Sequence, residues 1–128
     1  MFLRSLLLSI LLLVTLGSAT TLAGTRGHKR FACIDMHWRV PRDSDTVHVE
    51  FFLGTEPFAR MTLSPEQDFR QFNYSIDAIF AEGRIRLRID QQRNRGILNL
   101  DSLRYRCYSP AERIFSGELT TFDLPSKN

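Results

Sequence analysis

The chain has 128 residues, a formal net charge of +3 at pH 7, 43% hydrophobic side chains and two cysteines. That length accommodates one domain with one core, not two. The mildly basic balance falls well short of the clustered excess that marks a dedicated nucleic-acid binder, so no nucleic-acid partner is expected.

Residues 1–23, MFLRSLLLSILLLVTLGSATTLA, join one early positive charge (Arg4), an apolar run from Leu6 to Leu16 and then small residues. This three-part layout reads as a secretory signal peptide, with cleavage after Ala19 or Ala23. The apolar run is about eleven residues, whereas a spanning helix needs about 20. No membrane span is therefore expected after cleavage, and Cys33 comes too late to serve as a lipoprotein anchor. The mature protein is expected to be secreted or periplasmic. Residues 24–32, GTRGHKRFA, are polar and read as a flexible leader that carries His28. Lys29-Arg30 within it fits a processing site less well than a plain polar leader. A β-sandwich domain is expected over 33–124 and a short tail over 125–128.

Within the domain the apolar positions recur with period two, the pattern of half-buried strands. CIDMHWRV puts Ile34, Met36, Trp38 and Val40 on one face, and TVHVEFFL does the same with Val47, Val49, Phe51 and Leu53. A hairpin across Val40 and Val47 sets Trp38 against Val49, Met36 against Phe51, His37 against Glu50 and Arg39 against His48. Both faces agree with that one register. FARMTL resumes the pattern, and SPEQDF reads as a turn or a single helical turn, with Ser64 capping and Pro65 in the first position. RQFNYSIDAIF alternates through Phe72, Tyr74 and Ile76, and AEG is expected to turn the chain. RIRLRID then buries Ile85, Leu87 and Ile89, and QQRNRG forms a polar loop. In GILNLDSLRYRC the inward phase runs through Leu98 and Leu100 and then shifts to Leu103, Tyr105 and Cys107. A slip of this kind at Asp101-Ser102 predicts a β-bulge. ERIFSGELTTFDL allows one more strand. About seven short strands separated by polar turns predict an all-β fold, a single small antiparallel β-sandwich that is jelly-roll-like.

Cys33 and Cys107 lie near the two ends of the domain. In an oxidising compartment such a pair is expected to form a disulfide. Closing that loop contributes roughly 3–4 kcal/mol in the chain-entropy account.

The stretch 84–108, RIRLRIDQQRNRGILNLDSLRYRCY, holds seven arginines against two aspartates. Arg84, Arg86 and Arg88 alternate with core positions and so share an outer face. Arg104 and Arg106 rejoin that face beyond the bulge. A half-exposed sheet needs a polar side, so a solvated face is one reading. An anion-contacting face is the other, because the guanidinium fork suits carboxylate, phosphate and sulfate groups. These five arginines are the candidate ligand-binding residues.

Other chemistry is thin. His37, His48 and Glu50 share the outer face of the first hairpin, but diagonal sheet neighbours converge poorly on a metal, so no metal and no cofactor are expected. There is no G-x-S-x-G elbow, no H-E-x-x-H and no phosphate-cradling glycine loop, and no catalytic residues are assigned. Asp43/Asp45 and Glu66/Asp68 sit in turns, where acids are ordinary. Asn73-Tyr-Ser is a glycosylation sequon that matters only in a eukaryotic host.

From Val47 to Arg106 the order of pieces resembles the second half of a carbohydrate-binding-module type, galactose-binding-like jelly roll. The pieces are VHVEFFLG, MTLSPEQDFRQFNYSIDA, GRIRLRID and GILNLDSLRY, with Leu100-Asp101-Ser102-Leu103 the most family-like. The resemblance implies a sugar-binding ancestry, with the aspartate at the end of the last core strand. Sugar platforms in that family use exposed aromatic rings, whereas Trp38 is in the inward phase here and Tyr108 is the one tyrosine expected to be exposed. These readings together favour a non-catalytic extracytoplasmic binding module for an anionic glycan or similar polymer. The alternative is an interaction or inhibitor domain that docks an acidic protein through the arginine face. A small hydrolase ranks third.

Overall fold

The computed structural model describes residues 24–126, so the signal peptide expected over 1–23 lies outside the described residues. Eight strands follow in order: β1 (Thr25–Phe31), β2 (Ile34–Val40), β3 (Val47–Leu53), β4 (Glu56–Leu63), β5 (Phe69–Ile76), β6 (Ile79–Asp90), β7 (Arg95–Cys107) and β8 (Arg113–Asp123). They form two four-stranded antiparallel sheets, β1-β2-β3-β4 and β5-β6-β7-β8. The fold is all-β, as the alternation requires, and no helix long and apolar enough to cross a membrane occurs among the described residues.

The connectivity is simpler than a jelly roll. Every pairing joins strands that are neighbours in sequence, so each sheet is a meander. Jelly rolls are wound from Greek keys, in which a strand returns beside a non-neighbour. Short turns explain the difference. Ala32-Cys33, Gly54-Thr55 and Asp77-Ala78 each link adjacent strands with two residues, and Ala32, Gly54 and Asp77 take positive φ.

The β2–β3 register is the one the two-faced pattern requires, with Met36 opposite Phe51, His37 opposite Glu50, Trp38 opposite Val49 and Arg39 opposite His48. The bulge falls where the phase slips. Arg84 faces Ser102 and Ile85 faces Leu100, which leaves Asp101 as the extra residue. Asp101 is thus inside β7 rather than at the end of the last core strand, since β8 still follows.

Two expectations are corrected. The leader assigned to 24–32 is strand β1, paired along its whole length with β2, so the domain begins at Thr25 and includes His28. It is an edge strand in which only Phe31 is buried, so it lacks the apolar alternation that marks a strand. The turn assigned to Ala81-Glu82-Gly83 is at Asp77-Ala78 instead, and Ala81 and Gly83 are buried inside β6. At Ser64 the chain takes the first of the two expected forms, a tight turn closed by reciprocal backbone bonds between Ser64 and Gln67, each 3.1 Å.

Side chains of both sheets meet in one core. Ile34, Met36, Val49, Phe51, Ile85, Leu87, Leu98, Leu100 and Leu103 are all essentially inaccessible to solvent. Fully burying one such side chain contributes about 1.5–3 kcal/mol. Aromatic seams close the two open sides. On one, Phe51 meets Phe72 at 4.5 Å and Phe58 stacks on Tyr74 at 4.3 Å; on the other, Phe31 meets Phe115 at 5.0 Å. Glycines make room for the rings: Gly27 is paired with Trp38, Gly83 with Phe72 and Gly96 with Phe122, and a Cβ on any of them would overlap the ring opposite. The Cys33–Cys107 disulfide, with Cα atoms 5.8 Å apart, ties the β1–β2 turn of the first sheet to the end of β7 in the second.

Candidate functional site

Alternation along β6 and β7 puts all five sequence-selected arginines on the outer face of the second sheet. They differ in their engagement. Arg86 donates from Nε to Asp101 Oδ2 at 2.9 Å and lies 4.8 Å from the Phe69 ring centre, while Asn99 Nδ2 holds the other Asp101 oxygen at 2.8 Å. Arg104 reaches Glu112 Oε1 at 2.8 Å and Glu82 Oε2 at 3.7 Å. The bulge creates the first of these pairs: as the extra residue, Asp101 projects its carboxylate beside Arg86. Arg84, Arg88 and Arg106 have no carboxylate within 4.0 Å among the described residues. The face therefore presents three guanidiniums for an external anion, not five.

Arg106 stands apart from the others in a second respect. Its guanidinium, like that of Arg104, lies near the Phe80 ring (5.7 Å against 5.9 Å), but Arg106 alone of the five lines a depression of ≈ 350 Å³ at one end of the second sheet. Ser75, Asp77, Phe80, Arg106, Tyr108 and Ser109 line it. Local sequence builds this rim. β7 ends at Cys107, which the disulfide holds, and Pro110 cannot donate to a sheet ladder. Between them Tyr108 turns outward with φ 58° and 72% of its surface exposed. Its N–H donates to the Ala78 carbonyl at 3.1 Å, tying it to the β5–β6 turn. A bulky residue at positive φ is uncommon and strained, and such strain persists only where the surroundings enforce it. Here the disulfide on one side and the Ala78 bond on the other do so.

The histidine cluster of the first hairpin is also placed. His37 lies opposite Glu50, and His48 Nδ1 is 3.2 Å from Thr62 Oγ1. Among the described residues no group of three or more His, Cys, Asp or Glu is arranged to hold a metal ion. Asn73 is exposed on the outer face of the edge strand β5.

Sequence reasoning missed Asp77, Phe80 and Ser75 in the rim, because it put the turn at 81–83. The signal was present, since aspartate tolerates the left-handed region that this turn demands. It missed Arg26 and His28 by assigning them to a leader. Comparison with family models, with curated proteins and with solved structures returns no match.

Proposed function

We propose that this protein is an extracytoplasmic, non-catalytic binding module for an anionic glycan, engaged at the Tyr108 rim and continued along the free arginines of the second sheet. The observation that carries this reading is Tyr108 itself, a strained, exposed aromatic ring pinned beside Arg106 and Phe80. A pyranose presents an apolar face that stacks on an aromatic ring, and a guanidinium beside it suits a carboxylate or sulfate on the same sugar. Asp77, Ser75 and Ser109 supply acceptors and donors for hydroxyl groups. From Phe80 to Arg88 the outer face of β6 extends about 27 Å, enough for several sugar units. Location outside the cytoplasm is supported by the disulfide and by the signal-like composition of residues 1–23.

The test is binding of dextran sulfate and of a polyuronate, with neutral dextran as control, by titration calorimetry. Charged polymers should bind and lose affinity as salt rises, because exposed charges are screened beyond about 10 Å at 0.1 M salt. Tyr108→Ala should weaken binding by roughly tenfold, about 1.4 kcal/mol. Equal binding of neutral dextran, or full affinity in both Tyr108→Ala and Arg106→Gln, would overturn the reading.

A further inference from the structure

Every histidine of the chain, three in all, stands on the outer face of the first sheet. The pairings define two rows across it. One row runs Arg26, Arg39, His48 and Thr62, and the next runs His28, His37, Glu50 and Arg60. His28 and His37 stack with ring centres 5.7 Å apart, and His37 meets Phe52 edge-on at 5.1 Å. Two carboxylates share the face: Glu50, on the interior strand β3 directly opposite His37, is engaged by Arg60 at 2.7 Å, and Asp35 lies 3.9 Å from Arg30. Arg70, arriving from β5, donates to the Thr62 carbonyl at 3.1 Å and adds a further positive charge at the border. Arg26, Arg39, His28, His37 and His48 have no carboxylate within 4.0 Å among the described residues.

Arg26 directly opposite Arg39 is a destabilising arrangement, since like charges on a cross-strand pair repel. The repulsion is relieved when an oxyanion sits between the forks. Around these groups lies a depression of ≈ 400 Å³, lined by Arg26, His28, His37, Trp38, Arg39 and His48, with the Arg60-engaged Glu50 at its wall. No strand covers it.

We infer that this face is a second, acid-strengthened anion site, which takes a sulfate or carboxylate group of an extended anionic polysaccharide between Arg26 and Arg39, with the three histidines as its pH-responsive wall. Imidazole is the side chain that gains a proton between pH 8 and 5. Each ring that gains a proton adds one positive charge to a depression that already holds Arg26 and Arg39 and whose one carboxylate, Glu50, is engaged by Arg60. The sign follows by linkage: a bound anion favours the protonated rings, so binding strengthens as pH falls. A polymer is favoured over a lipid surface because the exposed large apolar side chains, Phe69, Ile76, Tyr108 and Ile114, all lie off this face. Among the described residues the large apolar side chain on it is Phe52, which is half-buried and held edge-on by His37.

The experiment titrates dextran sulfate into the protein at pH 7.5 and 5.5 at constant ionic strength. Affinity should rise by about tenfold on acidification. In His28→Gln/His37→Gln/His48→Gln the rise should fall below about twofold, with a native circular-dichroism spectrum. Arg26→Gln/Arg39→Gln should weaken binding at both pH values. Arg84→Gln/Arg88→Gln/Arg106→Gln should keep the acid-dependent rise even where overall affinity drops, which separates this site from the Tyr108 rim. A tenfold rise surviving in the triple-histidine variant would overturn the proposal. So would undiminished binding by the double-arginine variant, or equal affinity for anionic phosphatidylserine vesicles.

Discussion

The outer faces of the two sheets arise from the same rule and end up electrostatically different. Each strand alternates core and solvent positions, so each sheet needs a polar exterior, and both exteriors are rich in arginine. On the second sheet the register brings acids to the arginines: Asp101 to Arg86, Glu82 and Glu112 to Arg104, and Asp123 to Arg95. On the first sheet it also brings Glu50 to Arg60 and Asp35 to Arg30, but it sets Arg26 against Arg39, His28 against His37, and Arg39 against His48. Arginine content is therefore a poor guide to where an anion would bind. The residue across the ladder decides whether a guanidinium is already satisfied.

This contrast requires that both faces be displayed by one shared core, and the largest expected effect tests that condition. Replacing Cys33 and Cys107 by serine removes the covalent tie between the sheets. Stability to urea should fall by roughly 3–4 kcal/mol. A loss under about 1 kcal/mol would mean that the aromatic seams alone hold the sheets in register.

A smaller effect sharpens the same point inside the second sheet. A Cβ added at Gly83 would come within 2.2 Å of Phe72, which bridges to Phe51 of the first sheet. Gly83→Ala should lower stability by about 1–3 kcal/mol through overpacking. Tryptophan fluorescence is a suitable readout, since Trp38 is the only tryptophan and is buried. An unchanged urea midpoint would show that Phe72 moves aside freely and is no part of the seam.

Much of this architecture was legible in the sequence, and the reason is local. The β2–β3 hairpin carries strong alternation on both strands, so only one register satisfies Trp38, Val49, Met36 and Phe51 together. The bulge at Asp101 was legible because a phase slip has one meaning in a paired strand. β1 was not, because an edge strand that buries only Phe31 looks like any polar segment. The β5–β6 turn was misplaced because, after Ile79, the next two inward positions of β6 are the small Ala81 and Gly83, opposite Tyr74 and Phe72, so the apolar alternation is interrupted there. Of the candidate site, the exposure of Tyr108 and the outward direction of the five arginines could be read. The engagement of Arg104 could not, since it depends on Glu112, which reaches it from outside the strands.

The smallest expected effect is the sharpest test of the contrast, because it predicts opposite signs for changes on the two faces. Asp101 accepts from Arg86 and from Asn99 with its two separate oxygens, in a half-buried setting. Asp101→Asn should destabilise by up to about 1 kcal/mol, the upper end for a surface ion pair. Arg26→Glu, on the first sheet, turns a like-charge pair with Arg39 into an opposite-charge pair. Cross-strand pairs of that kind contribute about 0.2–1 kcal/mol, so the variant should be slightly more stable than the parent protein in low salt. The gain should shrink in 1 M salt, where the screening length is about 3 Å. If Arg26→Glu destabilises the protein at low salt, the Arg26–Arg39 pair is not repulsive. The first sheet would then lack the like-charge pair that separates it from the second, whose free arginines, Arg84, Arg88 and Arg106, face no arginine across the ladder.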